Sequence, residues 1–342
     1  MVTAPMPPGT EVVTVARRLA DQVLFPAALA VDASDYVPAA HLDDLAGAGM
    51  YGLFGPAEAG GLAAGWGEGN AAVEALAGGC LTTAFVWAQH HHAVRAVAAT
   101  PSAALRQEWL APLCRGERRA GVAFAGLRRP GPPVLVATEL AGRWRLDGYA
   151  PWVTGWGRVD VVHVGARAGD DVVWLLVDAT PSATLAVERL DLAAVNASAT
   201  VTVTFHGHEV SGDRLTGSEP YVEWSRRDAL GLRVNGSHPL GVADRCRRLL
   251  DAAGVASGSL ADDVDAARDS LDAAGHDTMA TARARASLLA VRAASALVAA
   301  GGGRSVTLDH HAQRLAREAM FLLVFGQTPA IKAAQLAAVL DG

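Results

Sequence analysis

Apolar positions follow two rhythms along this chain, and the rhythm changes twice. Near the start, Val12, Val15, Leu19 and Val23 recur at spacings of three and four, which lays one apolar stripe along a helix. Pro26 predicts a break or a kink in it. Residues 41–50 predict a short helix ended by Gly47 and Gly49, and the glycine-rich residues 52–69 predict a loop. Residues 70–99 predict one long helix or two, and Ser102 is placed to cap another that runs to Leu113.

From residue 121 to about 210 the period falls to two. Residues 143–148, 159–164 and 172–177 alternate, and in Thr200-Val-Thr-Val-Thr-Phe-His the apolar Val201, Val203 and Phe205 share a face. No ten-residue helix separates these runs and no GxGxxG follows a strand. A small, mainly antiparallel β domain is therefore expected, not a Rossmann fold. After Gly212 the helical period returns. Helices are predicted over 221–254, with an interruption around Gly236 and Pro239, and over 260–300, with a break near Gly275. Two more follow over 310–324 and 330–340. The Ala-rich residues 281–300 predict a helix buried almost all round, at the centre of a bundle. The expected architecture is α+β: a helical domain over 1–118, a β domain over 119–212 and a helical bundle over 213–342.

Composition refines this picture. Hydrophobic residues make up 51% of the 342 but aromatics only 6%, so Ala, Val and Leu carry the apolar mass, as closely packed helices require. A net charge of -6 gives no electrostatic reason to bind nucleic acid or an anionic membrane. The basic cluster at 115–119 is short and contains Glu117. Cys80, Cys114 and Cys246 are far apart and form no CxxC, which predicts neither a disulfide framework nor a zinc site and suits a reducing, cytoplasmic setting. Met1-Val-Thr-Ala-Pro-Met-Pro-Pro lacks the pattern of a signal peptide. Residues 287–303, interrupted by Arg292, are too short to cross a bilayer.

Candidate metal ligands are few. A helix points His90, His91 and His92 in three directions, so no metal is expected there. Asp309, before His310 and His311, reads as a helix N-cap. Asp262, Asp263 and Asp265 sit where a helix N-terminus favours acids.

Several motifs fall in one order. Leu105-Arg-Gln-Glu-Trp-Leu-Ala-Pro-Leu-Cys-Arg-Gly-Glu precedes the β region, and Gly148-Tyr-Ala-Pro-Trp-Val-Thr-Gly-Trp-Gly lies within it. Gly301-Gly302-Gly303, then Gln313-Arg-Leu-Ala-Arg-Glu-Ala, then Phe325-Gly-Gln-Thr-Pro close the chain. In content and order these resemble the acyl-CoA dehydrogenase family over nearly the whole length. The resemblance implies an FAD-binding oxidoreductase acting on CH–CH groups of an acyl-CoA, with a helical–β–helical fold. It also implies a homo- or hetero-oligomer, dimer or tetramer, formed through the C-terminal helices.

Residue by residue, the resemblance implies a flavin site. Trp152, Val153 and Thr154 match the flavin-contacting strand. In a regular strand 152 and 154 share a face, so a Trp ring and a Thr hydroxyl could meet one heterocycle. The plainer reading makes Trp152 a core residue and Thr154 a strand former. Gly121-Val-Ala-Phe-Ala-Gly matches the loop along the flavin's pyrimidine edge, which brings in Phe124, Ala125 and Gly126. Gly301 and Gly302 match glycines that approach the FAD of a neighbouring subunit, or they form a helix C-cap. Thr328 falls in the loop beside the cofactor, and Arg233 in a segment that faces substrate.

The departures from the family bear on function. Its usual catalytic glutamate aligns with Gly326, which cannot accept a proton, and the alternative base position aligns with Gly231-Leu232-Arg233, again without an acid. Asp228 and Glu223 lie one and two turns earlier. The family's Thr-Glu-Pro-x-x-Gly-Ser-Asp run reads Phe124-Ala125-Gly126-Leu127-Arg128-Arg129-Pro130-Gly131, without its hydroxyls, and the Arg-x-x-Phe-Gly that grips FAD across a dimer is missing. Two readings stay open: a flavin oxidoreductase, including a monooxygenase-like derivative that needs no carboxylate base, or a non-catalytic or half-site subunit of a heteromeric dehydrogenase. A purely structural helical protein explains none of the motif order.

Overall fold

The computed structural model describes residues 10–340; Met1–Pro8, where no signal peptide is read, lie outside them. Six helices come first: α1 (Thr10–Leu19), α2 (Phe25–Asp32), α3 (Ala39–Gly47), α4 (Trp66–Gly79), α5 (Leu81–Ala99) and α6 (Ala103–Cys114). Ser102 caps α6 as its position predicts, its hydroxyl accepting from the Leu105 amide at 3.2 Å. At Pro26 the helix does not end, but its winding changes just before it. A π-helical turn at Ala20–Leu24 joins α1 to α2, and Pro26 falls in the first turn of α2, where a missing N–H costs little.

Eight strands follow: β1 (Ala120–Ala123), β2 (Leu135–Leu140), β3 (Arg143–Val153), β4 (Val161–Ala168), β5 (Asp171–Asp178), β6 (Leu185–Arg189), β7 (Val201–Ser211) and β8 (Leu215–Pro220). They form one sheet in the order β6-β7-β3-β2-β4-β5-β8, with β1 parallel to β4. Every neighbouring pair is antiparallel except β1–β4 and the single β2–β4 bridge. As the alternation predicts, Val201, Val203 and Phe205 are buried on one face of β7. The sheet also extends past Gly212, where the helical rhythm was read to resume. β8 is short and polar, and pairing with β5 makes it a strand.

The last five helices are α7 (Tyr221–Ala252), α8 (Gly258–Asp272), α9 (Met279–Gly301), α10 (His311–Val324) and α11 (Pro329–Leu340). α7 runs without interruption through Gly236 and Pro239. Residues 236–243 are buried, and packing outweighs one lost hydrogen bond there. α9 is not buried all round: Thr281, Arg285, Arg292, Ser295 and Ala296 are exposed along one side. With its following turn, Met279–Val306 is long and apolar enough by composition to cross a membrane, longer than residues 287–303 suggested. In this fold it packs against α7, α8, α10 and α11 as a bundle helix. Asp309 is not the cap of α10; His310 is, its Nδ1 accepting from the Ala312 amide at 3.2 Å.

One hydrophobic core runs through both helical regions, from Val12 in α1 to Ile331 in α11, and a second fills the sheet. The tightest seam joins α4 to α7. A Cβ on Gly241 would lie 2.1 Å from the Glu74 carbonyl oxygen, and one on Gly78 would lie 2.8 Å from the Gly241 carbonyl oxygen. Both backbones are held, so neither gives way cheaply. Replacing Gly241 by Ala is expected to cost about 1–3 kcal/mol of stability. Gly258→Ala, at a position with nothing within 4 Å, should cost little. Urea unfolding of both variants measures the difference; equal midpoints would remove the seam from the account.

Candidate functional site

Strand β3 ends in a distortion. Its pairing with β7 slips between Ala150 and Val153, and Trp152 takes a left-handed backbone, φ 61°. For a bulky residue that conformation is strained and needs surrounding structure to hold it. The consequence is a turn of side chains. Trp152 is 52% exposed while Thr154 is only 2% exposed, so the two do not share a face as a regular strand would have them. The Thr154 hydroxyl lies 3.2 Å from that of Thr200, which in turn lies 2.8 Å from that of Ser198. All three are buried. Val153 is buried and pairs with Val201.

The end of β1 lies beside this strand end. A Cβ on Gly121 would sit 3.1 Å from the Thr154 carbonyl oxygen, and one on Gly126 would sit 3.7 Å from Pro151. Phe124 closes β1, and Ala125–Arg128 form a 3-10 turn whose residues Ala125 and Gly126 are half-buried. Among the described residues, nothing accepts the N–H groups of Ala125 and Gly126. The fold therefore gathers Phe124, Ala125 and Gly126 with Trp152 and Val153, two segments that sequence separates by about thirty residues.

The same turn reaches Gly326. Arg128 and Asp228 make a bidentate pair at 2.7 and 2.8 Å, both side chains largely buried. A Cβ on Gly326 would lie 2.5 Å from Asn235 Nδ2 and 3.7 Å from Arg128, and Gly326 itself has φ 60°. No larger side chain fits there unless Asn235 moves. Asp228, the nearest acid flagged by the sequence, has both oxygens taken by Arg128; Glu223 is exposed.

Other residues implied by the resemblance stand elsewhere. Arg233 pairs with Asp272 of α8 at 2.6 Å and donates to Ser237. The Thr328 hydroxyl accepts from the Ile331 amide at the start of α11. Gly301 and Gly302 end α9 in the open; the closest atoms to a Cβ on Gly301 belong to Ser305 and His310, and around Gly302 there is nothing within 4 Å. Within this one chain they do not join the Trp152 cluster.

The three histidines of α5 serve three neighbours. His90 accepts from the Ala120 amide at Nδ1 and bonds the Leu113 carbonyl through Nε2, both at 3.0 Å. His91 is buried edge-on against Trp87 and Phe54 without a hydrogen bond. His92 stacks on Phe124 and bonds His163 of β4, Nδ1 to Nδ1, at 2.8 Å. His163 continues through Nε2 to the Thr216 hydroxyl at 2.8 Å, and that hydroxyl donates to the Trp174 carbonyl at 3.1 Å. Burial, with Arg95, Arg128 and Arg227 nearby, pushes His92 down to about 3; burial likewise holds His163 well below its ordinary value. His163 was legible as the one polar residue in the apolar run 161–166. Thr200, Ser198 and Thr216 gave no sequence signal, since alternating strands carry threonines and serines routinely.

Beside the turn, a shallow pocket open to solvent is lined by Leu127, Arg129, Val134, Tyr149, Arg167 and Tyr221, among others. Arg129 donates to the Tyr149 hydroxyl, and Arg167 stacks over the Tyr221 ring at 4.2 Å.

Residues 10–117 match the acyl-CoA dehydrogenase N-terminal domain. No curated protein matches the chain in sequence. Among solved structures, the chain is similar to butyryl-CoA dehydrogenase from Megasphaera elsdenii, at 18% identity and TM-score 0.82, covering 99% of this chain and 100% of that one. A glutaryl-CoA dehydrogenase from Mycobacterium smegmatis in complex with FADH2 is similar at 14% identity and TM-score 0.80, with 98% and 95% covered. A probable acyl-CoA dehydrogenase from Mycobacterium abscessus is similar at 20% identity and TM-score 0.81, with 98% and 99% covered. The helical–β–helical fold is thus that of the acyl-CoA dehydrogenases.

His90 supplies a pH prediction. Its Nδ1 faces an N–H, so a second proton has no place, and burial pushes it down to about 3. The unfolded chain, near 6.5, takes the proton first. Stability is therefore full above about pH 6.5 and falls as pH drops toward 3, by about 1.4 kcal/mol per unit. Between pH 7.5 and 5 the loss from His90 should be roughly 2 kcal/mol. Urea midpoints should show His90→Asn less stable at pH 7.5 but with a shallower acid decline than the parent; parallel declines would contradict the assignment.

Proposed function

We propose that this chain belongs to the acyl-CoA dehydrogenase family and is an FAD-binding oxidoreductase acting on an acyl thioester, a reading supported by the match of residues 10–117 and by the fold of the whole length. One observation carries the reading: within that complete fold, the exposed ring of Trp152 stands at a strand end beside the turn of Phe124, Ala125 and Gly126.

The residues present suit a flavin. Trp152 offers an apolar aromatic face, and its strained backbone is what turns it outward. The free N–H groups of Ala125 and Gly126 suit the acceptor atoms of a heterocycle's polar edge, where the family has hydroxyls. Val153 supports the strand from beneath. Thr154 works indirectly, anchoring the strand end through Thr200 and Ser198. Gly301 and Gly302 are exposed, and Gly302 has open space around it, which suits the close approach of a neighbouring subunit's cofactor. Thr328 fixes the start of α11 and so the end of the Gly326 loop. Arg233, tied to Asp272, is at most a support for a substrate-facing helix.

When bound, the flavin supplies a two-electron acceptor for a hydride. This chain's part is to hold it, exclude water and position the acyl group. Removing an α-proton needs a base, and here Gly326 offers none while Asp228 is clamped. Plain desaturation by this chain alone is therefore not its chemistry. A monooxygenase-like use of the pocket needs no such base. The half-site reading is favoured by the same glycine together with the open Gly302 and Gly303, which leave a partner to complete the site. The three domains, 1–118, 119–212 and 213–342, assemble in the cytoplasm into an oligomer through the C-terminal helices, whose outward side carries Met320, Val324, Leu336 and Val339.

The visible spectrum of the purified chain is the test. A flavin band is expected, and anaerobic addition of butyryl-CoA should not bleach it; rapid bleaching would overturn the claim that the base is missing. A colourless chain that turns yellow only on co-expression with a homologue would select the half-site reading, and one that never takes up FAD would sink the flavin site. Trp152→Ala should weaken FAD retention roughly tenfold, the worth of one aromatic stack.

A further inference from the structure

The bond pattern around His92 fixes where its proton is. A hydroxyl has one hydrogen, and that of Thr216 goes to the Trp174 carbonyl. Thr216 must then accept from His163, whose Nε2 carries the proton. A neutral His163 has a bare Nδ1, so His92 must donate to it from its own Nδ1. What remains is the Nε2 of His92: a lone pair without a hydrogen bond among the described residues, on a half-buried ring stacked against Phe124.

We propose that His92 is a hydrogen-bond-accepting residue of the site, its Nε2 kept bare by the chain Trp174 carbonyl–Thr216–His163–His92 and turned toward an N–H or O–H of the bound ligand. The proposal rests on the pocket beside Phe124 being the flavin and acyl site. His163 and Thr216 act through His92 and are positioning residues.

The surroundings fit an acceptor and not a proton store. The charged groups facing His92 are cations from three elements: Arg95 of its own helix, Arg128 of the turn after β1 and Arg227 of α7. The last two are countered by Asp228 and Glu219, and Arg95 stacks over Trp66 at 4.5 Å. His163 faces it from β4. A second proton on His92 would meet these cations in a buried setting, so the ring stays neutral and accepts without ionising. Two donors share the required chemistry: the imide N–H of a flavin, and a hydroxyl on the acyl group.

Nitrogen-15 NMR of the imidazoles reads the tautomers directly. At pH 7 the expected pattern is Nδ1–H with bare Nε2 for His92 and Nε2–H with bare Nδ1 for His163, unchanged at pH 5. Thr216→Val should mix the two tautomers of His92 while leaving the chain folded. An Nε2–H tautomer or an imidazolium at His92 in the parent would overturn the proposal. A second measurement names the donor. His92→Phe should weaken FAD binding about tenfold if the imide N–H is the partner. If the hydroxyl is, FAD content stays at the parent level and the flavin's spectral response to 3-hydroxybutyryl-CoA, but not to butyryl-CoA, weakens by the same factor. His92→Phe indistinguishable from the parent in both would overturn the proposal. A parent chain that never binds FAD would instead remove the flavin site on which it rests, leaving the tautomer result to stand alone.

Discussion

A neutral imidazole joins the sheet to the helices. His90 accepts from the first residue of β1 and donates to the end of α6, while its neighbours on α5 pack against Trp87 on one side and Phe124 on the other. Everything at the site hangs from that junction. β1 is only four residues long and pairs with β4 alone, so without the helix behind it the turn at Phe124 would have little to hold it. Gly121 then sets that turn against the end of β3, and Arg128 carries it to Gly326 through the pair with Asp228.

The site is built from compromises between strand geometry and what must face outward. A regular strand would have kept Trp152 and Thr154 on one side. The slip in pairing and the left-handed backbone at Trp152 place the ring in the open and the hydroxyl in the core. The buried hydroxyls of Thr154, Thr200 and Ser198 then satisfy one another, which is what makes the distortion affordable in a dry interior. Likewise, Gly326 is not simply a missing carboxylate. The Asn235 amide fills the space, so a larger side chain there needs that amide to swing aside.

Much of the architecture was legible in the chain. Alternation marked the strands at 143–148 and 200–206, the strand at 172–177 is an unbroken apolar run buried on both faces, and threefold and fourfold spacing marked the helices. The helix cap at Ser102 was written locally, because it needs only a hydroxyl three residues before an amide. Gly236 and Pro239 misled, because propensity weighs single residues whereas burial of a whole helix face outweighs one lost hydrogen bond. β8 was illegible because a short polar strand is made by its partner and not by its own pattern.

By itself, then, the sequence determined the order of helical and β regions, the motifs that resemble a flavoprotein family and the absence of an acid at Gly326. These are properties of residue identity and local spacing. The tertiary structure decided which side Trp152 faces, that Arg128 occupies Asp228, and that His92, His163 and Thr216, spread over more than a hundred residues, form one hydrogen-bonded chain. The reason is range. Periodicity reports what a residue's neighbours in the chain require, but a hydrogen bond between α5, β4 and β8 depends on register and on a bulge that no local pattern encodes.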